Sequence, residues 1–138
     1  MAENLYRFSK AMIIDDSATD RYIAEYYLRK FFIAAFVIAQ SSAIEALKYL
    51  KEFANNPDEL PEIIFLDIRM PLMDGFEFLR EYEKLPSSVL NYCNVVMVSS
   101  TIDPDDHERI KENHFIKYFI NKPLNKEKLL ELSAAVKA

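Results

Sequence analysis

The chain has 138 residues, 51% of them hydrophobic and 13% aromatic, which suffices for one domain core and excludes a disordered protein. A formal net charge of −5 gives nucleic-acid binding no electrostatic support, and the single cysteine, Cys93, rules out an internal disulfide and suits a reducing compartment. No apolar stretch approaches the roughly 18 residues of a membrane span, and Met1-Ala2-Glu3-Asn4 lacks the layout of a signal peptide. The expectation is one soluble, cytoplasmic domain over residues 1–138 with its core between about 10 and 136.

The first apolar run, Ala11-Met12-Ile13-Ile14, ends on Asp15-Asp16. Ser17-Ala18-Thr19-Asp20 then reads as a capping box opening a helix to about Phe31. Phe36 to Ala39 is the second strand. Ser42 and Glu45 repeat the capping pattern before a helix with Ala43, Ala46, Leu47, Leu50 and Phe53 on one face, ended by Asn55-Asn56-Pro57. Ile63-Ile64-Phe65-Leu66 runs into Asp67, and a loop through Met70-Pro71 reaches Asp74-Gly75. A third helix starts near Asp74 with Phe78, Leu79 and Tyr82 facing inward, and Pro86-Ser87-Ser88 breaks it. Val89 to Tyr92 has no assignable shape. Val95-Val96-Met97-Val98 ends on Ser99. Asp103 caps a fourth helix with Pro104 at its first position, running to about Asn113. The last strand, Tyr118 to Ile120, leads through Asn121 to Lys122-Pro123, and Asn125 caps a final helix carrying Leu129, Leu132 and Val136.

Five strands therefore alternate with five helices, the pattern of a parallel sheet covered on both faces. Right-handed crossovers cover both faces only if the winding reverses once. For five strands the familiar order is 2-1-3-4-5, with its switch point between strands 1 and 3. The expected architecture is a three-layer α/β/α, flavodoxin-like (βα)5 fold. Ligands in such sheets sit beyond the carboxyl ends of the strands. Asp15, Asp16, Asp67, Ser99 and Lys122 then meet at one sheet edge, a set suited to a divalent metal and a phosphoryl group.

Four stretches carry a resemblance: Ile13-Ile14-Asp15-Asp16-Ser17, Leu66 through Gly75 (Leu-Asp-Ile-Arg-Met-Pro-Leu-Met-Asp-Gly), Met97-Val98-Ser99-Ser100, and Asn121-Lys122-Pro123. In this order and spacing the chain resembles the receiver domain of two-component response regulators. The Asp67-to-Gly75 stretch is the most specific part.

The resemblance implies that Asp67 accepts a phosphoryl group from a phosphohistidine of a sensor histidine kinase or histidine phosphotransfer protein, making the chain a signalling phosphoacceptor rather than an enzyme. It implies Mg²⁺ (or Mn²⁺) bound by Asp16, Asp67 and the backbone carbonyl of Arg69, with Asp15 acting through water. Ser99, the backbone amide of Ser100 and Lys122 would contact the phosphoryl oxygens, and Pro123 would follow a cis peptide. Ser99 and Phe119 would form the switch, altering the surface of the fourth helix, fifth strand and fifth helix for a downstream protein. Arg69 and Thr101 stand where the family tunes phosphoryl lifetime, and a long cation at Arg69 is expected to slow hydrolysis. With one helix after Lys122-Pro123, the sequence reads as a stand-alone receiver, monomeric or weakly dimeric on phosphorylation.

The chain departs from the family in having one glycine, Gly75. Phe115-Ile116 replaces the usual Gly-Ala before the last strand, so Asn113 or His114 is expected in the left-handed region. Position 119 is Phe where Tyr is also frequent, so no hydroxyl can bond a partner.

Competing classes fit less well. An aspartyl-phosphate phosphatase needs a second acid two residues after its nucleophile, where Arg69 stands. A flavodoxin-like cofactor carrier needs a phosphate-cradling loop after strand 1, and Asp16 to Asp20 would repel phosphate. A degenerate receiver would not keep the full acidic set. His107 and His114 lack metal-pair spacing and are expected at the surface. Cys93 reads as a small buried or semi-buried thiol, and Asp103, Asp105 and Asp106 read as helix-start charge. Tyr26, Tyr27, Phe31 and Phe32 exceed what one helix face needs, so some are expected exposed for a partner.

Overall fold

In the computed structural model, which describes residues 5–100 and 102–137, five strands form one parallel sheet in the order β2-β1-β3-β4-β5. The strands are β1 (Phe8–Ile14), β2 (Ala34–Gln40), β3 (Ile63–Asp67), β4 (Asn94–Ser99) and β5 (Ile116–Asn121). The helices are α1 (Ala18–Lys30), α2 (Ala43–Glu52), α3 (Gly75–Tyr82), α4 (Ser87–Leu90), α5 (Pro104–Glu112) and α6 (Lys126–Lys137). This is the flavodoxin-like order expected, with the winding reversed between β1 and β3.

The central strands alternate between two cores, as period-2 geometry demands when both faces are covered. Met12, Ile14, Ile64, Leu66, Val95 and Met97 pack with α2, α3 and their flanking loops. Ile13, Ile63, Phe65, Val96 and Val98 pack with Ala24 and Leu28 of α1 and Leu129 and Leu132 of α6. Each such fully buried aliphatic side chain contributes about 2 kcal/mol by leaving water. Both faces of β3 are committed to core, so Asp67 is the first polar residue after an uninterrupted apolar run and stands at the carboxyl edge of the sheet.

Several local expectations are corrected. The segment around Val89, for which the sequence assigns no shape, is a four-residue helix, α4, pinned by burial of Val89. Ser17 and Ser42 each cap a helix by accepting the amide of Asp20 and Glu45, but the reciprocal capping boxes occur elsewhere, at Asp74/Glu77 and Asp103/Asp106. Neither Asn113 nor His114 is left-handed. Asn113 has φ −94° and ψ 107°, and its side-chain Oδ1 accepts from the Phe115 amide at 3.0 Å, turning the chain without glycine. The non-glycine left-handed residues, among those described, are Phe32 (φ 56°) and Leu72 (φ 69°).

Other expectations hold. His107 and His114 are exposed, Cys93 is buried, and burial pushes its thiol up to about 12. Tyr26 and Phe32 are exposed, whereas Tyr27 and Phe31 are half-buried. Among the described residues no helix is long and apolar enough to cross a membrane.

Candidate functional site

The carboxyl ends of β1 and β3 bring three carboxylates together at the switch point. Asp15, Asp16 and Asp67 each offer one oxygen, and these oxygens lie within 4.8 Å of one another. Asp15 and Asp67 are buried and Asp16 is exposed. Asp15 is fixed by the fold: its amide donates to the Gln40 carbonyl at 3.1 Å, continuing the β1–β2 ladder, and its Oδ1 accepts from the Ser17 amide at 2.9 Å. Arg21 donates to the Asp15 carbonyl oxygen at 2.7 Å.

Asp67 is held from below by the start of α3. The Gly75 amide donates to the Ile68 carbonyl at 2.8 Å, and a Cβ on Gly75 would lie 2.7 Å from the Asp67 carbonyl oxygen. Glycine stands here because the helix start approaches this backbone too closely for any side chain. Burial pushes the Asp67 carboxyl up to about 6; Lys122 opposes that rise, while the charges of Asp15 and Asp16 add to it.

Lys122 reaches the cluster from the end of β5, where its amide donates to the Ser99 carbonyl at 3.0 Å and its peptide bond to Pro123 is cis. Its Nζ lies 2.8 Å from Asp15 Oδ2, 2.7 Å from Asp20 Oδ2 and 3.7 Å from Asp67 Oδ1. Burial works to lower the Lys122 pKa, but the hydrogen bonds to Asp15 and Asp20 and the charge of Asp67 outweigh it, and the pKa is raised. Ser99 is buried at the end of β4, and Ser100 lines the same cavity as Asp67 and Lys122. Thr101 lies outside the described residues.

Two expected residues sit farther out. Phe119 is half-buried on β5, its ring edge-on to His107 of α5 with 6.4 Å between centroids. The Arg69 guanidinium is bound to the buried carboxylate of Asp106, with Asp103 at 3.5 Å. Sequence reasoning missed Asp20 and Asp106 as partners. Asp20 reads in the sequence as a capping-box residue and Asp106 as helix-start charge, and only the fold brings them to Lys122 and Arg69.

The donor set suits a hard divalent cation. Three carboxylate oxygens in reach of one another, against one lysine ammonium, are the oxygen ligands that Mg²⁺ or Mn²⁺ prefers. The raised Asp67 pKa expresses the same need for a cation beside this carboxylate.

The class defined by fold and site is a doubly wound α/β domain with three carboxylates at the switch point and a lysine facing them. The chain belongs to the response regulator receiver domain family, whose model matches residues 11–134. Protein PilG of Pseudomonas aeruginosa is 34% identical over 129 residues, covering 94% of this chain and 85% of PilG. The sensor histidine kinase CheAY of Helicobacter pylori is 34% identical over 121 residues, covering 86% of this chain, which spans only 14% of that kinase. The receiver domain of the histidine kinase CKI1 from Arabidopsis thaliana, complexed with Mg²⁺ and BeF₃⁻, has the same fold: TM-score 0.75, 25% identity, 99% of this chain and 91% of that one. The protein is thus a receiver domain of two-component signalling.

Proposed function

We propose that Asp67 is the phosphoacceptor and takes its phosphoryl group from a phosphohistidine on a sensor histidine kinase or histidine phosphotransfer protein. The observation that carries this reading is a buried carboxylate at the end of β3 with a lysine ammonium 3.7 Å away and two further carboxylates beside it. In the transfer, a bond forms between an Asp67 carboxylate oxygen and phosphorus while the phosphorus–nitrogen bond breaks. The bonding pair leaves with the imidazole.

Asp15, Asp16, Asp67 and the backbone carbonyl of Arg69 would hold Mg²⁺ or Mn²⁺. When bound, the ion offsets the repulsion between an anionic nucleophile and an anionic phosphoryl group. Lys122 adds a mobile positive charge on the phosphoryl oxygens, and Ser99 and the Ser100 amide donate to the others. The phosphoryl group brings about −1.5 to −2 charges and strong acceptor oxygens. Ser99 moves toward it, and Phe119 follows into the vacated space. The face formed by α5, β5 and α6 changes for a downstream protein. Arg69 and Thr101 flank the acyl phosphate and set its lifetime.

Intact-mass measurement after incubation with acetyl phosphate tests the reading. A phosphate-sized gain that needs both Mg²⁺ and Asp67 supports it, and a gain that persists in Asp67→Asn overturns it.

A further inference from the structure

Asp20 is outside the acidic set described so far, yet its carboxylate makes the shortest contact to Lys122, 2.7 Å, against 3.7 Å from Lys122 to Asp67. The local chain explains why it is free to do so. Asp20 stands where a capping box would send its side chain back to the Ser17 amide, but Asp15 Oδ1 already takes that amide at 2.9 Å. The Asp20 carboxylate is thus left to the ammonium. Two of the three donors of Lys122 are engaged on the α1 side of the site, by Asp15 and Asp20. The Lys122 and Asp15 side chains are 16% and 7% exposed and that of Asp20 is 39% exposed, so the Asp20 contact is charge-assisted but partly screened by solvent.

We propose that Asp20 is a positioning residue that competes with Asp67 for the Lys122 ammonium, and so slows the loading of the phosphoryl group. This rests on the reading of Asp67 as phosphoacceptor. With acetyl phosphate, a bond forms between the Asp67 carboxylate oxygen and phosphorus, the phosphorus–oxygen bond to the acetyl group breaks, and acetate leaves with the bonding pair. With phosphoramidate the phosphorus–nitrogen bond breaks, and the already protonated nitrogen leaves as ammonia. Neither transfer needs a proton from Lys122. Both need its charge on the phosphoryl oxygens, for which the Asp20 carboxylate, 2.7 Å from Nζ, competes.

The test is the rate of phosphate incorporation at saturating Mg²⁺, followed by intact mass, for wild type, Asp20→Asn and Asp20→Glu. Asn keeps the size and the backbone amide that Ser17 caps, and removes the charge. Loss of one charge-assisted contact predicts about a tenfold faster rate for Asp20→Asn. Asp20→Glu, which retains a carboxylate, returns the rate to within about twofold of wild type on the same account. The acceleration should be equal with acetyl phosphate and with the less negatively charged phosphoramidate. An unchanged or slower rate in Asp20→Asn overturns the proposal. So does an acceleration found only with acetyl phosphate, because Asp20 would then act by repelling the anionic donor. A purely structural role would shift melting temperature without separating Asn from Glu. If wild type takes up no phosphate at Asp67, the reading of Asp67 falls with the inference. If wild type is phosphorylated and Asp20→Asn matches it, only the inference falls.

Discussion

Arg69 and Asp106 join the loop that follows β3 to the first turn of α5. Asp106 is 2% exposed, and its carboxylate accepts from the Arg69 guanidinium and also from the Asp103 amide at 3.3 Å. The loop between β4 and α5, which carries Ser100, is therefore tied at its far end to the residue two positions beyond Asp67.

Removing one partner of this pair leaves the other uncompensated. Arg69→Ala strands a buried carboxylate and should cost about 2 kcal/mol in urea unfolding, the half-exposed arginine setting a limit below that of a fully buried pair. Asp106→Asn in the Arg69→Ala background should recover most of that loss. The acyl phosphate of Arg69→Ala should hydrolyse faster than that of wild type, since the phosphoryl group would otherwise share this cation. Slower hydrolysis would contradict the assigned role.

The raised Asp67 pKa sets a pH dependence with a definite sign. Without metal, the folded carboxyl titrates at about 6 against an ordinary 3.8, so the folded state binds the extra proton between those values. Stability contributed by this group is present at low pH and is lost as pH rises from about 4 to 6. The difference corresponds to about 3 kcal/mol at most. Asp67→Asn should stabilise the metal-free protein at pH 7.5 and do little at pH 4, and urea titrations at the two values measure this. Mg²⁺ affinity should fall below about pH 6 as Asp67 takes up its proton.

Gly75→Ala tests the close approach beneath Asp67. A methyl group 2.7 Å from the Asp67 carbonyl oxygen and 3.1 Å from Ile68 Cα must push backbone, not a flexible side chain. A loss of about 1–3 kcal/mol follows from such overpacking. Phosphate incorporation should fall with it, because the displaced backbone carries the nucleophile. Unchanged stability and incorporation would show that the approach is looser than described.

Leu72 is 91% exposed and left-handed with φ 69°, so its side chain gains nothing from burial while its backbone is strained. Leu72→Gly should raise stability by about 1 kcal/mol, the relieved strain exceeding the entropy that glycine adds to the unfolded chain. A lower melting temperature would contradict this.

What could be read from the sequence follows from where information is local. Ile63 to Leu66 and Val95 to Val98 are uninterrupted apolar runs because both faces are buried, so the strands, their order and the gathering of Asp15, Asp16, Asp67 and Lys122 were all legible. The helix Ser87–Leu90 was not, because one turn lacks any periodicity and no side chain caps it. The Asn113 turn hid behind a side-chain hydrogen bond where a left-handed residue was expected. Asp20 and Asp106 find their partners 102 and 37 residues away, so their local patterns read only as a capping box and as helix-start charge.

Borohydride reduction of the phosphorylated protein tests the central claim most directly, because it converts an aspartyl phosphate to homoserine at the modified position. After incubation with acetyl phosphate and Mg²⁺, peptide mass mapping should place homoserine at position 67 and nowhere else. Homoserine at Asp15 or Asp16, or a stable phosphate that resists reduction, would contradict the assignment of Asp67 as the phosphoacceptor.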